Sequence, residues 1–311
     1  MPKTKMMRFN RFGDKDVLYV EELVVSQPDA GQVLVQVHAA SINPVDYKIR
    51  SGLYPAVKED RLPYTPGRDV SGVVVACGAQ ATRFSVGDAV FGIVDIHGGG
   101  YSQQIAIAQA ALAAKPIALD HVHAAAIPLA GQTAWQGLFR YGRLQAGQSV
   151  LIHGGSGGVG HFAIQFAKAK DARVLTTVST ANIGFAGRLG ADVVIDYQTE
   201  RFEDLARDVD LVFDLIGSDT RERSWGLLRK GGVLVTTRDA PSQDTAEKIG
   251  VRALRFTVEA DGAELAGIAD LVNTGKAKAH VERTFDLDAA AEALALVEQG
   301  HAVGKIVLAV V

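Results

Sequence analysis

The stretch "SVLIHGGSGGVGHFAIQFAKA", residues 149–169, decides the fold of this chain. It begins as an apolar strand, passes through a glycine-rich loop and continues as an amphipathic helix. Two motifs overlap in the loop. The spacing G-x-G-x-x-G over Gly155, Gly157 and Gly160 predicts a dinucleotide site, whereas G-x-S-x-G predicts a hydrolase nucleophile at Ser156.

The place of the loop in the chain favours the dinucleotide interpretation. A hydrolase nucleophile follows several alternating strands and helices, but residues 1–125 consist of short alternating apolar runs separated by Gly and Pro, which predict a β-rich domain. Gly160 has a function only in a dinucleotide loop, where it lets the helix pack close to the strand. The run His97-Gly98-Gly99-Gly100 resembles a lipase oxyanion hole, so the hydrolase remains the minor alternative.

The part of the chain after residue 126 alternates between strands and helices. Most of its strands are continuous Val/Ile/Leu runs, as in parallel sheets that are covered on both faces. The predicted strands are 149–153, 173–178, 192–196, 209–215, 232–237 and 251–258, and the predicted helices are 158–170, 182–190, 218–230 and 241–249. This order predicts an α/β fold with a doubly wound parallel sheet. Helices at 261–274 and 288–299 and a last strand "GKIVLAVV" follow.

The loop predicts the group it binds. Unpaired N–H groups and the dipole at a helix N-terminus attract a diphosphate, and glycines allow it to approach. The predicted cofactor-binding residues here are Gly155, Ser156, Gly157, Gly158, Val159 and Gly160.

The end of the second strand predicts which nicotinamide cofactor binds. NAD enzymes normally carry Asp or Glu there for the ribose hydroxyls. This chain has no acid at that point, and Ser179, Thr180 and Asn182 can hydrogen-bond a 2′-phosphate. We therefore expect NADPH rather than NADH.

Length, charge and cysteine content limit the class of protein. A chain of 311 residues predicts two domains. The net charge of −3 gives no support to a nucleic-acid or anionic-membrane partner. The N-terminus "MPKTKMMRFN" lacks the apolar run of a signal peptide, and no apolar stretch is long enough to span a bilayer. With Cys77 as the single cysteine, we expect a cytoplasmic protein.

Several long motifs in order make the chain resemble a known family. They are "HAASINPVDYKIRSGLYP", "PYTPGRDVSGVVVACG", "FSVGDAVFG", "IPLAGQTAWQGL", "VLIHGGSGGVGHFAIQFAK", "LGADVVIDY" and "GKIVL". The family is the zinc-independent quinone oxidoreductases of the medium-chain dehydrogenase/reductase superfamily. The resemblance implies a GroES-like β-rich catalytic domain (1–127 and 261–311), a Rossmann domain (128–260), and a homodimer through an apolar edge strand at 251–258. It also implies that the glycines of "HGGGYSQQ" serve a turn.

The resemblance also implies chemistry without a metal. Zinc relatives place Cys where this chain has Asn43, and His-Glu where it has Arg68-Asp69. The pair His121-x-His123 shows no third ligand, so we expect no metal site. Reduction of an activated acceptor needs no Lewis acid, and we expect hydride transfer from NADPH to a quinone or an activated alkene. The alternatives are a 2-alkenal or enone reductase with little quinone activity, and a non-catalytic NADPH-binding redox sensor.

The motif "INPVDY" supplies the predicted catalytic residues. By resemblance, Asn43 holds a substrate carbonyl or the cofactor, and Tyr47 donates a hydrogen bond or a proton. The family more often has its tyrosine at the next position, where this chain has Lys48. The alternatives are that Asn43 caps a helix whose first residue is Pro44, and that Tyr47 only packs. Asp46 is expected to hold the loop by hydrogen bonds.

Four further residues are predicted to contact the cofactor, each with a purely structural alternative. By resemblance, Thr133 contacts the nicotinamide side, Tyr197 lies near the 2′-phosphate and Lys305 reaches the diphosphate. The alternatives are a helix start, a cover of the sheet edge and an exposed strand lysine. Gly217 follows a parallel strand at its carboxyl end, where ligands bind, or it serves only a turn.

Overall fold

A computed structural model describes residues 3–311 as two compact units. Unit 1 takes the chain up to Gln132, together with Ala260–Thr274 and Ala279–Val311. Unit 2 takes Thr133–Glu259 and Gly275–Lys278.

The N-terminal part of unit 1 is β-rich, as its alternating pattern predicts. Its strands are β1 (Lys3–Arg8), β2 (Tyr19–Val24), β3 (Gln32–Ser41), β4 (Asp69–Cys77), β5 (Ala89–Ile93), β6 (Gln104–Ala108) and β7 (Leu112–Ala114). Its helices are α1 (Pro44–Arg50) and α2 (His121–Ala125), and α3 (Pro128–Trp135) continues past the end of this unit at Gln132. Strands β1 and β2 pair with each other, and the others build a larger sheet in which β3 pairs with both β4 and β6.

Unit 2 is a six-stranded sheet in which every pairing is parallel. Its strands are β8 (Ser149–His153), β9 (Arg173–Val178), β10 (Val193–Asp196), β11 (Val209–Asp214), β12 (Leu228–Thr236) and β13 (Arg252–Arg255). The spatial order is β10-β9-β8-β11-β12-β13. The chain adds β9 and β10 on one side of β8, and then adds β11, β12 and β13 on its other side. Its helices are α4 (Gly160–Ala169), α5 (Ile183–Arg188), α6 (Phe202–Leu205), α7 (Ser218–Ser224) and α8 (Gln243–Ile249). The predicted doubly wound sheet is confirmed.

The C-terminal part of the chain completes the sheet of unit 1. Its elements are α9 (Gly262–Asn273), β14 (Val281–Asp286), α10 (Ala290–Glu298) and β15 (Lys305–Ala309). Strand β15 lies between β14 and β3, so the last strand pairs with one of the first. Within residues 3–311, no helix is apolar over a length that would let it cross a membrane.

Two predictions about unit 2 are wrong in detail. The helix predicted over 218–230 ends at Ser224, and after one 3₁₀ turn the chain becomes β12 at Leu228, which pairs with Val209 of β11. This sheet pairing overrides the local helical pattern. The edge strand predicted as apolar over 251–258 is shorter and charged, because the exposed side chains of β13 are Arg252 and Arg255. Arginines on an edge strand discourage unwanted pairing.

Candidate active site

The loop 154–159 of unit 2 has the geometry of a dinucleotide loop. Gly154 has a φ of 82°, and the N–H groups of Gly154 and Gly155 both donate to the Thr177 carbonyl, at 3.2 and 3.1 Å. A Cβ on Gly160 would lie 2.1 Å from the Gly154 carbonyl oxygen. Glycine at position 160 is therefore required for α4 to begin this close to the strand end.

The same loop presents unused donors to an open side. A Cβ on Gly157 would meet only the Gly154 carbonyl oxygen, at 3.5 Å, so this face of the loop is open. Within residues 3–311, the N–H groups of Ser156, Gly158 and Val159 donate to no acceptor in the chain. These groups stand just before α4, a helix of ten residues whose N-terminus favours negative charge. The residues present therefore fit a diphosphate.

Ser156 does not have the backbone of a hydrolase nucleophile. A nucleophile elbow is a strained turn, whereas Ser156 is absent from the non-glycine residues with positive φ in residues 3–311. It follows the first strand of its sheet, and its Oγ accepts from Asn182 Nδ2 at 3.2 Å. The glycines near His97 also serve geometry, because a Cβ on Gly99 would lie 2.3 Å from the Thr65 side chain.

The residues predicted to contact the 2′-phosphate divide into two groups. Asn182 Nδ2 donates to Ser156 Oγ at 3.2 Å and to Ser179 Oγ at 3.1 Å, so these three side chains lie together beside the glycine loop. Thr180 is engaged elsewhere, since its Oγ1 donates to Asp196 Oδ2 at 2.5 Å. This bond is the main reason that the pKa of Asp196 is lowered. The sequence pattern could not show this partner, because Asp196 ends a different strand.

Of the three other predicted cofactor residues of unit 2, two lie at the ends of elements and one lies within a helix. Tyr197 follows β10 with 59% of its surface exposed, and its N–H donates to the Val178 carbonyl at the end of β9. Gly217 has a φ of 84°, and its N–H donates to the buried carboxylate of Asp214 at 2.8 Å, so it forms a turn. Thr133 is buried inside α3, which begins at Pro128, so the helix-start alternative is wrong, and its contact with the nicotinamide side stays a prediction.

In unit 1, the residues of "INPVDY" belong to a buried polar cluster centred on Asp69. Asp69 Oδ2 accepts from Ser41 Oγ at 2.6 Å and from Asn43 Nδ2 at 2.8 Å. Its Oδ1 accepts from the Leu129 N–H at 2.7 Å. Lys305 Nζ lies 3.6 Å from Asp69 Oδ2, and both side chains are buried. These donors compensate the carboxylate for the water that it lost on burial.

Lys305 is the buried cation of this cluster. Its Nζ donates to Asn43 Oδ1 at 2.5 Å and to the Ile42 carbonyl at 2.9 Å. Burial lowers its pKa, and Asp69 opposes that effect. The interpretation of Lys305 as an exposed strand lysine is wrong, since the residue is 3% exposed. Its contact with a diphosphate stays a prediction, which requires the ammonium to leave these oxygens.

Asn43 is held in one orientation by its neighbours. It is the N-cap residue of α1, with Pro44 at the first helical position. Oδ1 faces Lys305 and one hydrogen of Nδ2 faces Asp69. The second hydrogen reaches only the Ser41 carbonyl at 3.5 Å, which is a weak contact. Asn43 therefore retains one hydrogen-bond donor.

Asp46 and Tyr101 complete the cluster. Asp46 Oδ2 accepts from the Asn43 N–H at 2.8 Å and from the Tyr101 hydroxyl at 2.9 Å. Burial raises the pKa of Asp46 to about 6, and it raises the pKa of Tyr101 well above its ordinary value. Asp46 therefore holds the loop by hydrogen bonds, as expected. Tyr47 is half-buried and packs against the apolar core of unit 1, and its catalytic role stays a prediction.

Tyr101 is a residue that the sequence pattern did not reveal. Its ring occupies space left by Gly67, where φ is 102° and a Cβ would lie 2.3 Å from the ring. Backbone bonds from Gly100 and Tyr101 to Gly67 and Pro66 bring the two segments together. The glycine of "TPGRD" and the tyrosine of "GGGY" were the available signals, but only the folded chain pairs them.

The histidine pair of α2 is structural in the described geometry. His121 Nδ1 lies 2.8 Å from Ser71 Oγ and its ring stacks on His38, while His123 Nδ1 lies 2.8 Å from the N-cap carboxylate of Asp120. Burial lowers the pKa of His121 to about 4. Within residues 3–311, no three His, Cys, Asp or Glu side chains are placed to hold a metal ion.

Comparisons with known proteins extend over both units. Residues 29–117 match the alcohol dehydrogenase GroES-like domain, and residues 189–308 match a family described as zinc-binding dehydrogenase. The chain is 35% identical to the chloroplastic NADPH-dependent alkenal/one oxidoreductase of Arabidopsis thaliana, over 96% of this chain and 78% of that protein.

Two solved structures show the same fold. The quinone oxidoreductase from Coxiella burnetii superimposes with a TM-score of 0.93 at 34% identity, over 100% of both chains. The Escherichia coli quinone oxidoreductase complexed with NADPH superimposes with a TM-score of 0.89 at 27% identity, over 98% of this chain and 100% of that one.

Proposed function

The chain belongs to the zinc-independent quinone oxidoreductases of the medium-chain dehydrogenase/reductase superfamily, and on this basis we propose that it is an NADPH-dependent reductase of quinones or activated alkenes. The observation that carries the proposal is the loop 154–159, which presents unused N–H groups. The loop leads into Gly160, where any side chain would clash with the backbone of Gly154. The names of the similar proteins, a quinone oxidoreductase and an alkenal/one oxidoreductase, support the acceptor class.

Each unit has its own residues in this proposal. When bound, NADPH supplies a hydride to an electron-poor carbon of the acceptor. The N–H groups of Ser156, Gly158 and Val159 would hold the diphosphate, and Ser179 and Asn182 would bind the 2′-phosphate. In unit 1, the second Nδ2 hydrogen of Asn43 would donate to the oxygen of the substrate. The contacts of this side-chain amide with Lys305 and Asp69 polarise it.

The zinc ligand positions of related enzymes carry no ligand set here. Asn43 donates to Asp69 within the buried hydrogen-bond cluster, and a single cysteine cannot build a site of several thiolates. Quinones and α,β-unsaturated carbonyl compounds accept hydride at carbon and spread the charge onto oxygen, so hydrogen-bond donation is sufficient.

A screen of acceptors tests the function. We expect NADPH consumption with members of a quinone panel, an enone panel or both. Turnover of enones alone would assign the enone reductase, the alternative that the Arabidopsis relative favours. Tight NADPH binding without turnover of any acceptor would contradict the proposal and favour a redox sensor.

Replacing Ser179 by Asp tests the choice of NADPH. Ser179 Oγ lies beside Asn182 and no acidic side chain takes part in this group. A carboxylate at position 179 repels a 2′-phosphate and accepts from ribose hydroxyls. We expect Ser179→Asp to weaken NADPH binding roughly tenfold or more while NADH binding holds or improves. Ser26→Asp, an exposed site in unit 1, adds the same charge as a control. Equal loss of both cofactors in Ser179→Asp would refute this assignment.

The proposal includes a homodimer in the cytoplasm. Strand β13 is one of the two edge strands of the unit 2 sheet, and its backbone can pair with a second copy despite Arg252 and Arg255. Light scattering would then give twice the chain mass of 32.9 kDa. A single exposed cysteine accords with a reducing compartment.

A further inference from the structure

The buried cluster of unit 1 contains one carboxylate oxygen that has nothing to bind. Asp46 Oδ2 accepts two hydrogen bonds, whereas Oδ1 is buried and has no partner in residues 3–311. A buried carboxylate oxygen without a donor is costly when charged, and the cost is lower when the oxygen carries a proton. Oδ1 is therefore the place in the cluster for a proton.

The two charges that act directly on Asp46, Lys305 on β15 and Asp69 on β4, balance each other without it. Tyr101 and Tyr64 face Asp46 from loops, and on α1 itself Arg50 pairs with Glu298 on α10 and lies 3.8 Å from the exposed carboxylate of Asp14. Lys305 and Asp69 form an ion pair, and so do Arg50 and Glu298. An ionised Asp46 adds one uncompensated negative charge, and a protonated Asp46 adds none.

We propose that Asp46 is a proton-linked positioning residue of the reduction site: a proton on its unpartnered Oδ1 leaves the cluster without net charge, and this form accommodates the negative oxygen of the reduced acceptor. The proposal rests on the proposed function. Asp46 acts through Asn43, whose N–H binds Oδ2 and whose side chain joins the Lys305–Asp69 pair. An ionised Asp46 opposes the developing oxyanion by like-charge repulsion.

The reaction balances without consuming this proton. Hydride brings two electrons to the acceptor carbon, and the electron pair of the acceptor's double bond moves onto its oxygen. Water supplies the proton that neutralises the product, and the proton on Asp46 stays where it is.

The pH dependence of catalysis is the first test. Because burial raises the pKa of Asp46 to about 6, kcat/KM for an uncharged acceptor should fall as pH rises, by roughly tenfold or more between pH 5 and pH 7.5. Asp46→Asn keeps an acceptor for Asn43 and Tyr101 and imitates the protonated acid. It should retain activity near the acid limit of the wild type, with a flat profile. Asp244→Asn, exposed on α8, should keep the wild-type profile.

Tyr101→Phe provides a second test. A purely structural role of Asp46 would not produce the shift in the pH profile that we expect from this variant. The Tyr101 hydroxyl lowers the pKa of Asp46 by donating to Oδ2. Its removal should move the midpoint of the profile to higher pH. A flat Asp46→Asn profile together with an upward midpoint in Tyr101→Phe supports the proposal. A wild-type profile in Asp46→Asn, or an unmoved midpoint in Tyr101→Phe, overturns it.

A measurement without cofactor or acceptor separates this proposal from the proposed function. The folded-state pKa of Asp46 lies above its ordinary value of 3.8, so the folded chain binds the extra proton between about pH 4 and pH 6. The resulting stability is present at low pH and is lost as pH rises through 6. Urea unfolding should show this loss in the wild type and not in Asp46→Asn. If the free energy of unfolding changes equally with pH in the wild type and in Asp46→Asn, Asp46 does not bind the extra proton and the proposal is wrong. Absence of turnover with every acceptor overturns only the reductase function.

Discussion

Gly160→Ala should weaken NADPH binding by at least a hundredfold, which is about 2.8 kcal/mol. The new Cβ would lie 2.1 Å from the Gly154 carbonyl oxygen and 2.8 Å from the Gly155 Cα. Both are backbone atoms that cannot rotate away, so α4 must shift from the strand end and carry the N–H groups of the loop with it. Titration of the protein with NADPH, followed by calorimetry, measures the loss.

Two other glycine variants show whether the loss comes from the loop. Gly187→Ala on α5 meets nothing within 4 Å and should leave NADPH binding unchanged. Gly157→Ala meets only one atom, at 3.5 Å, so the chain should fold normally while its Cβ hinders the diphosphate. If Gly160→Ala binds NADPH within threefold of the wild type, the loop does not hold the cofactor as proposed.

Lys305→Met should destabilise the chain by about 3–5 kcal/mol, because it leaves the Asp69 carboxylate buried without its cation. Methionine has nearly the same length, so the effect reports charge rather than volume. Both tryptophans, Trp135 and Trp225, belong to unit 2, so scanning calorimetry follows unit 1 better than fluorescence does.

A double-mutant cycle assigns the loss to the ion pair. Asp69→Asn in the Lys305→Met background removes the unpaired charge and should recover part of the stability. Lys230→Met, at an exposed position of β12, should change stability by no more than about 0.5 kcal/mol. A cost below about 1 kcal/mol for Lys305→Met, or strict additivity in the cycle, would show that the pair contributes little.

The parallel sheet and the glycine loop could be predicted because their determinants are local. Strands β8, β9 and β11 are continuous Val/Ile/Leu-rich runs. Such runs are typical of parallel strands that are buried on both faces. The steric need for glycine at 155 and 160 follows from one turn between a strand and a helix. The prediction of a helix around residue 228 is wrong because pairing with β11, and not the local sequence pattern, makes this segment a strand.

The polar cluster of unit 1 could not be predicted because sheet pairing assembles it from distant segments. Ser41, Asp69 and Lys305 stand on three neighbouring strands, and the Ser41–Asp69 and Ser41–Val307 pairs set their relative positions. Lys305 belongs to a strand buried on both faces, so no alternation indicated where its side chain lies. The bond from Thr180 to Asp196 could not be predicted for a similar reason, since Asp196 ends another strand.

The position of β15 beside β3 has a consequence for synthesis of the protein on the ribosome. Every segment of unit 2 has been synthesised once residue 278 is made, whereas the sheet of unit 1 still lacks residues 305–309. Unit 2 can therefore fold during translation, while the first third of the chain waits for its last strand. Asp69 therefore lacks its counter-charge until residue 305 has been made.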